Sequence, residues 1–473
     1  MFRFFNKAID YIGRKSPVLV HTPRADSLGN CAEEIFFGLM KAKREGKKIL
    51  FLYPQNLVFR RLITPKEFVN KQGSNSVRNS YDQNTGWLFR NLILRNFVAN
   101  KKLFQIQSPY SVRNEFVWFI CGWMLTFGIV LLGIGTRGPL KVFWNLLRLV
   151  WPKNSTSVVF DLANMTPTIG RSSLWNPDGA RHFSWEVVRE QCWRQQFDEY
   201  VPPSLALGDC RRAEALRVQM GIPLDDWFVC LHVREGGFRK EVDNPRNASI
   251  QNYIEGIKAI TDAGGWVVRL GDASMTPLPP MDGVIDNPHT RFKSELMDVY
   301  LLSQCRFFVG GASGPFEVGN LFGKPMVTVN LTVAGWSMAL PVKKGDLSIM
   351  KHVFSRSCNR FLSISEILEE PFMWKGADLV SDEYVMVENA PEEIREVIVE
   401  FLAKPEDYEY SGLQESFNIG RRNQIHRWFD QEELTSGKLI ETFRIAARCD
   451  SSAATLGQKY LEQNWHVDNL QPG

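Results

Sequence analysis

Short apolar runs alternate with amphipathic stretches through the second half of the chain. The apolar runs predict strands at 228–233, 266–270, 284–286, 306–310 and 325–330, and the stretches between them predict helices at 250–262, 293–305 and 315–322. Strands that alternate with helices in this way form a parallel sheet covered on both faces. We therefore expect a doubly wound α/β domain here. Further helices are predicted at 210–220 and 391–404, the second with Asn389 as a candidate N-cap.

The first half opens with the same kind of pattern. Strand-like runs at 18–22 and 48–53 flank an amphipathic helix at 31–44, which a loop at 23–30 precedes. This order and spacing predict a βαβ unit with parallel strands.

The length of the chain supports more than one domain. The chain has 473 residues, and one compact domain usually has about 100–200. We expect an N-terminal Rossmann-like domain at 1–205, a second α/β domain at 206–404 and a helical tail at 405–473.

An uncharged apolar segment of transmembrane length occupies residues 116–136, and an amphipathic stretch with tryptophans follows at 141–151. Three interpretations compete: a true span, an insertion into one leaflet, and a buried core helix. A single span would separate the N-terminal βαβ unit from everything after it. We therefore favour 116–151 as a peripheral or monotopic membrane-associating segment.

Composition and charge exclude several classes of protein. Lys and Arg number 56 and Asp and Glu 52, for a net charge of +4, so no charge excess of the kind that binds nucleic acid is present. The eight cysteines are scattered singly, which disfavours a zinc site and is compatible with a reducing compartment. The first residues lack the apolar region of a secretion signal. We expect a location on the cytoplasmic side of the membrane.

Two strand ends carry residues suited to phosphate binding, and ligands of open α/β sheets bind beyond the carboxyl ends of the strands. His232 and Arg234 share one face at the end of the 228–233 strand, and an Arg there offers a rigid fork of donors to a diphosphate. After the 306–310 strand, Gly311, Ser313 and Gly314 lead into a helix whose free N–H groups attract anions. The alternatives are a salt-bridged Arg and a tight strand–helix turn.

Two further places carry weaker signals. One is the strand end with Arg269, Gly271 and Asp272, and the other is the loop with Arg246 and Asn247. Either set could form surface ion pairs that contribute little to stability. The four places together favour a phosphorylated, hydroxyl-rich ligand.

Missing motifs narrow the chemistry. The chain lacks a P-loop, and no G-x-G-x-x-G follows the first strand of either half, which disfavours kinases, P-loop NTPases and common dehydrogenases. It also lacks the Asp-x-Asp triplet that holds a metal and a diphosphate in many sugar transferases. The sequence therefore favours a metal-independent transferase without a resident cofactor.

Residues 232–330 resemble a family of bacterial glycosyltransferases of surface-polysaccharide synthesis. The resemblance rests on motifs at the strand ends and in the helices between them: His232 to Glu235, Arg246 and Asn247 with Tyr253, Arg269 to Asp272, Lys293 to Asp298, Phe308 to Gly310 with Ser313 and Gly314, and Gly323 to Pro325. The chain also distantly resembles fucosyltransferase-like enzymes, whose His-x-Arg motif matches His232, Val233 and Arg234.

The resemblance implies a GT-B architecture, in which two Rossmann-like domains face a cleft. The C-terminal domain would hold the nucleotide sugar, and the N-terminal domain would contact a glycan or lipid-linked acceptor. Arg234 and the helix start at Ser313 and Gly314 would stabilise the departing diphosphate, while His232 either contacts the donor or is a satisfied core residue. Asp26 is the leading candidate for the general base, with Glu235 and Asp243 as alternatives; Asp26 could instead cap the following helix.

Two other classes stay open. A sugar-nucleotide epimerase or hydrolase would use the same fold without an acceptor, and a non-catalytic membrane-associated scaffold would bind no nucleotide sugar.

Overall fold

The computed structural model describes residues 18–21, 28–44, 46–51, 100–112, 200–237, 244–332, 343–369, 383–405, 407–429 and 454–465. Asp26, Asp243 and the segment 116–151 lie outside these ranges, so what was predicted for them stays a prediction. The chain forms two compact units, Met1–Phe183 with Val201–Leu207, and Ser184–Tyr200 with Gly208–Gly473. The predicted boundary after residue 205 falls within Val201–Leu207, the second stretch of the first unit.

The first unit contains the predicted βαβ arrangement. Strands β1 (Val18–His21) and β2 (Lys48–Phe51) pair in parallel, and helix α1 (Leu28–Arg44) connects them. The helix begins earlier than predicted, so its first turn takes in part of the expected loop. Gly38 of α1 lies against β2, because a Cβ there would come within 2.8 Å of the Phe51 ring. The strand β2 therefore packs directly on the helix backbone.

The second unit is built on a sheet of seven strands. Six of them are β3 (Phe228–His232), β4 (Trp266–Arg269), β5 (Val284–Asp286), β6 (Phe308–Gly310), β7 (Met326–Leu331) and β8 (Leu347–Met350). The seventh, at one edge, is β12 (Thr455–Leu456), and all neighbouring strands pair in parallel. Strands β3, β6, β7 and β8 are buried throughout, which explains why they are apolar runs without alternation.

The strand order is β12-β8-β7-β6-β3-β4-β5. From β3 the chain first builds outward through β4 and β5, and then returns to β6 on the other side of β3 and builds outward again. This is the doubly wound order, and it creates a switch point between β3 and β6. The prediction of a doubly wound parallel sheet is confirmed for this unit.

Helices cover the sheet. They are α2 (Leu207–Gln219), α3 (Ile254–Asp262), α4 (Glu295–Gln304), α5 (Gly314–Leu321), α6 (Ile364–Glu369), α7 (Pro391–Ala403), α8 (Gly412–Phe429) and α9 (Gln458–Asn464). Helices α3 and α7 pack closely, because Gly256 leaves room for the side chain of Ile398; a Cβ at Gly256 would lie 2.6 Å from it. A one-turn 3-10 segment, Ile250–Tyr253, replaces the first turn predicted for α3.

The predicted N-cap of α7 was wrong. Ala390 occupies the cap position, and its N–H donates to the Glu393 carboxylate at 2.8 Å. Asn389 is fully buried and pairs with Asn330 instead: each backbone N–H donates to the other's side-chain oxygen at 2.8 Å. The Asn389 side chain, which the local sequence predicted to cap α7, therefore makes a tertiary contact near the end of β7 instead.

Two features of the second unit were not expected. An antiparallel sheet forms from β9 (His352–Ser355), β10 (Arg360–Phe361) and β11 (Tyr384–Val387). The segment 405–473, predicted as a helical tail, supplies the edge strand β12, which pairs with β8. Through this strand the segment joins the sheet formed by residues 206–404, while helices α8 and α9 account for most of its described part. Among the described residues, no helix has the length and apolar character needed to cross a membrane.

Candidate functional site

Three adjacent strands bring most of the predicted site residues to the carboxyl-terminal end of the sheet. Because β4, β3 and β6 are neighbours and parallel, their carboxyl ends point the same way. His232 ends β3, Arg269 ends β4 and Gly310 ends β6. The residues that follow each strand therefore surround the switch point from both sides.

The turn from β6 into α5 exposes a helix N-terminus at this end of the sheet. Ser313 has extended backbone and caps the helix, and its hydroxyl accepts a hydrogen bond from the N–H of Phe316 at 3.4 Å. Pro315 stands in the first turn, where a missing N–H costs nothing. The remaining N–H groups and the helix dipole favour an anion here.

His232 is buried at the switch point and electrically neutral. Only 8% of its surface is exposed, and its Nδ1 atom has no hydrogen-bond partner in the described part of the chain. Burial, together with the positive charges of Arg234, Arg269 and Lys293, lowers the pKa of His232 to about 3. The imidazole therefore offers a neutral nitrogen, and the positive charge at this end of the sheet belongs to its neighbours.

Arg234 follows β3 by two residues and is half-buried. Its backbone carbonyl accepts a hydrogen bond from the N–H of Ala248 at 2.9 Å. This bond joins the stretch after β3 to the loop segment that carries Arg246 and Asn247. These three predicted residues are therefore brought together.

Arg269 has a different environment from the one predicted. The guanidinium is fully buried and donates to Glu235 at 2.5 Å, to Asp286 at 3.3 Å and to the carbonyl of Thr276. Both terminal nitrogens of the guanidinium donate to protein groups, so we do not assign Arg269 to a ligand.

Glu235 is occupied by contacts within the fold. One carboxylate oxygen accepts from Arg269, and the other accepts from the N–H and the hydroxyl of Thr276 at 2.8 and 2.9 Å. Asp286 completes the cluster, since it accepts from Arg269 and from the N–H of Leu278. The cluster fixes the loop after β4 against the residues that follow β3.

Gly271 and Asp272 shape that loop. Gly271 has φ +152°, and a Cβ there would lie 2.0 Å from the sulfur of Met275. The Asp272 carboxylate accepts from the N–H of Ser274 at 2.9 Å, which closes a turn. Both residues thus have a conformational role in the structure.

Sequence reasoning missed Lys351, which directly follows β8. This lysine is 4% exposed, and its ammonium donates to the carbonyl of Asn247 at 2.7 Å. The rule that selects polar residues at the carboxyl ends of strands would have found Lys351. The prediction ended the sheet at residue 330, before β8.

Metal ligands are not grouped in this region. No set of three or more His, Cys, Asp or Glu side chains in the described ranges could hold a metal ion. Comparison with family models, curated proteins and solved structures found no match to the chain.

Proposed function

We propose that the chain is a glycosyltransferase that moves a sugar from a nucleotide-sugar donor to a glycan or lipid-linked acceptor. The observation that carries the proposal is the arrangement at the switch point between two adjacent strands. The neutral His232 ends β3 and Arg234 follows it by two residues, while the capped helix N-terminus at Ser313 follows β6. A doubly wound sheet binds its ligand at this place. A guanidinium and free helix N–H groups are the donors that a diphosphate needs.

The diphosphate gains charge as the sugar leaves it. In the proposed reaction the bond from the sugar to the diphosphate breaks, and the acceptor oxygen forms the new bond to the sugar. Arg234 and the amide groups at Ser313 and Gly314 stabilise the leaving group. The absence of an Asp-x-Asp triplet from the sequence supports a mechanism without a metal ion.

The proton of the acceptor hydroxyl needs a base. Asp26 of the N-terminal half is our candidate, as it follows the first strand of a βαβ unit. Glu235 is left out of this role because both its oxygens are engaged. A GT-B layout, in which the N-terminal half contacts the acceptor, is part of the same proposal.

Attachment to a membrane surface through residues 116–151 is also proposed, since lipid-linked acceptors reside there. The test is detergent-free fractionation of the chain with and without this segment. We expect the full chain to sediment with membranes and the shortened chain to remain in the supernatant. Equal partition of the two forms would contradict the attachment.

Nucleotide binding tests the site directly. The full chain is titrated by calorimetry with the diphosphates of uridine, guanosine, adenosine, cytidine and thymidine. Arg234→Ala should weaken the best binder about ten- to hundredfold, the effect of losing charge-assisted hydrogen bonds. Arg212→Ala is the matched control, because this exposed arginine on α2 forms an ion pair with Asp209 at 3.6 Å and with no other carboxylate in the described ranges. Equal affinities for both variants would remove Arg234 from the site.

Product analysis separates the proposed reaction from its alternatives. Asp26→Asn should abolish transfer and leave nucleotide binding intact. Release of free sugar or an isomer without an acceptor would indicate a hydrolase or epimerase. Failure of the wild-type chain to bind any of the five nucleotides would contradict the proposed function and favour a scaffold.

A further inference from the structure

The loop after β3 returns to the carboxyl-terminal end of the sheet before α3 begins. Its segment 244–249 is stabilised locally, since the Asn244 carbonyl accepts from the N–H of Asn247 at 2.9 Å and its side chain accepts from the N–H of Arg246 at 3.0 Å. The Ala248 N–H reaches the carbonyl of Arg234 at 2.9 Å. This hydrogen bond places Arg246 and Asn247, the two residues before Ala248, close to Arg234, the residue proposed to hold the diphosphate.

Lys351 holds this segment from the far side of the sheet. It follows β8, which is separated from β3 by β7 and β6. Its backbone N–H donates to Leu331 at the end of β7 at 2.8 Å, and its ammonium donates to the carbonyl of Asn247 at 2.7 Å. The lysine is thus fixed to the sheet at one end and to the loop at the other.

Burying a lysine is costly, so its position calls for a physical reason. Burial lowers the pKa of Lys351, and the Glu388 carboxylate opposes this shift. An apolar side chain would fill the same space without desolvating a charge. What an apolar side chain lacks is a donor for the Asn247 carbonyl.

Glu388 also accepts hydrogen bonds from this part of the chain. One of its carboxylate oxygens accepts from the N–H of Ser249 at 2.8 Å and from the side-chain amide of Asn252 at 3.0 Å. Lys351 and Glu388 together contact residues 247, 249 and 252. Groups from β8 and from the segment before α7 therefore set the position of the loop.

We propose that Lys351 is a positioning residue that holds Arg246 and Asn247 beside Arg234, so that the loop meets the ligand of the switch point already placed. The part of this inference that concerns nucleotide binding rests on the proposed function. Because the segment 244–249 is held in place before the ligand arrives, binding loses less free energy to ordering it. Removal of the lysine ammonium should therefore weaken binding without any change in the groups that contact the ligand.

Lys404 provides a matched control at the opposite end of the sheet. Its ammonium donates to the carbonyl of Gly345, which precedes β8, and burial lowers its pKa as it does for Lys351. Lys351→Met and Lys404→Met thus each remove an ammonium that binds a backbone carbonyl beside the same strand, although Lys351 is buried and Lys404 only half-buried. Only the first touches the loop.

The first measurement is nucleotide affinity of the full-length variants. With whichever of the five nucleoside diphosphates binds the wild type best, Lys351→Met should lose about tenfold in affinity. Lys351→Arg, which keeps a donor, should recover most of this loss, and Lys404→Met should bind like the wild type. Equal affinities of Lys351→Met and the wild type would overturn the proposal.

The second measurement needs no ligand. Amide hydrogen exchange of Ala248 should become faster in Lys351→Met and stay unchanged in Lys404→Met, because only the first frees the loop. Unchanged exchange in both variants would overturn the positioning role. If the wild-type chain binds no nucleotide, the proposed function fails while this measurement still decides the role of Lys351.

Discussion

Arg269 and Glu235 form a buried ion pair that joins the ends of two adjacent parallel strands. Arg269 is the last residue of β4, and Glu235 follows the end of β3. The arginine Nη2 lies 2.5 Å from the glutamate Oε1, and the arginine side chain is fully buried. The pair fixes the loops on one side of the switch point. Its charges therefore hold these loops in place.

Glu235→Gln should lower the free energy of unfolding by about 2–3 kcal/mol. Loss of one partner from a buried pair costs about 3–5 kcal/mol, and Asp286 remains to compensate part of the arginine charge. Denaturant unfolding measures the change. Glu366→Gln breaks the exposed pair with Arg360 and should cost less than about 1 kcal/mol. A Glu235→Gln protein as stable as the wild type would contradict the structural role of this carboxylate.

Ser313→Ala should separate capping from ligand binding. Removal of the cap costs about 1 kcal/mol of folding stability. Ser294→Ala at the N-cap of α4 should cost the same, because the two serines cap their helices alike. The Ser294 hydroxyl accepts from the N–H of Met297 at 3.3 Å, and the Ser313 hydroxyl accepts from the N–H of Phe316 at 3.4 Å. Only Ser313 lies at the proposed diphosphate site. Calorimetry with the best-binding nucleoside diphosphate should show a several-fold loss for Ser313→Ala alone. Equal affinities for the two variants would place the diphosphate elsewhere.

Much of the sheet could be predicted from the sequence because its strands are buried on both faces. Strands β3, β4 and β6 are apolar runs bounded by glycines, prolines or charged residues. This pattern can be recognised in the sequence without knowledge of the tertiary structure. The edge strand Thr455–Leu456 has two residues and gave no such signal. It forms because β8 offers it a free edge, which is a property of the fold.

The site was harder to predict because position along a strand does not determine how a charge is used. Arg234 and Arg269 both stand at the ends of predicted strands, and the sequence assigned both to a phosphorylated ligand, Arg269 on the weaker signal. Sheet register distinguishes them: Arg269 pairs with Asp286 on β5, and Glu235 reaches it from beyond β3. Arg234 has no strand position and follows β3 by two residues. The interior use of Arg269 thus depends on contacts between distant parts of the chain.

Acid should destabilise the fold in part through His232. The folded pKa of about 3 lies below the ordinary value of 6.5 because burial disfavours the charged imidazole. Between these values the unfolded chain binds a proton that the folded chain does not, so stability falls as pH decreases through this range. The free energy of unfolding, measured with urea at pH 4, 5, 6 and 7, should depend less steeply on pH for His232→Gln than for the wild type. An identical pH dependence of the two proteins would show that His232 titrates alike in the folded and unfolded states.

Gly310 sets the close approach of β3 and β6 at the switch point. It has φ +155°, and a Cβ there would lie 2.2 Å from the carbonyl oxygen of His232, so Gly310→Ala must push the two strands apart. A forced backbone shift in a packed core costs about 1–3 kcal/mol. Gly311→Ala is the matched control, since its Cβ would meet the Val329 carbonyl at 3.4 Å, an ordinary contact. Denaturant unfolding should therefore show a large loss for the first variant and little change for the second. Because His232 and the start of α5 flank this contact, Gly310→Ala should also weaken nucleotide binding, and unchanged stability and affinity would show that the strands can separate without cost.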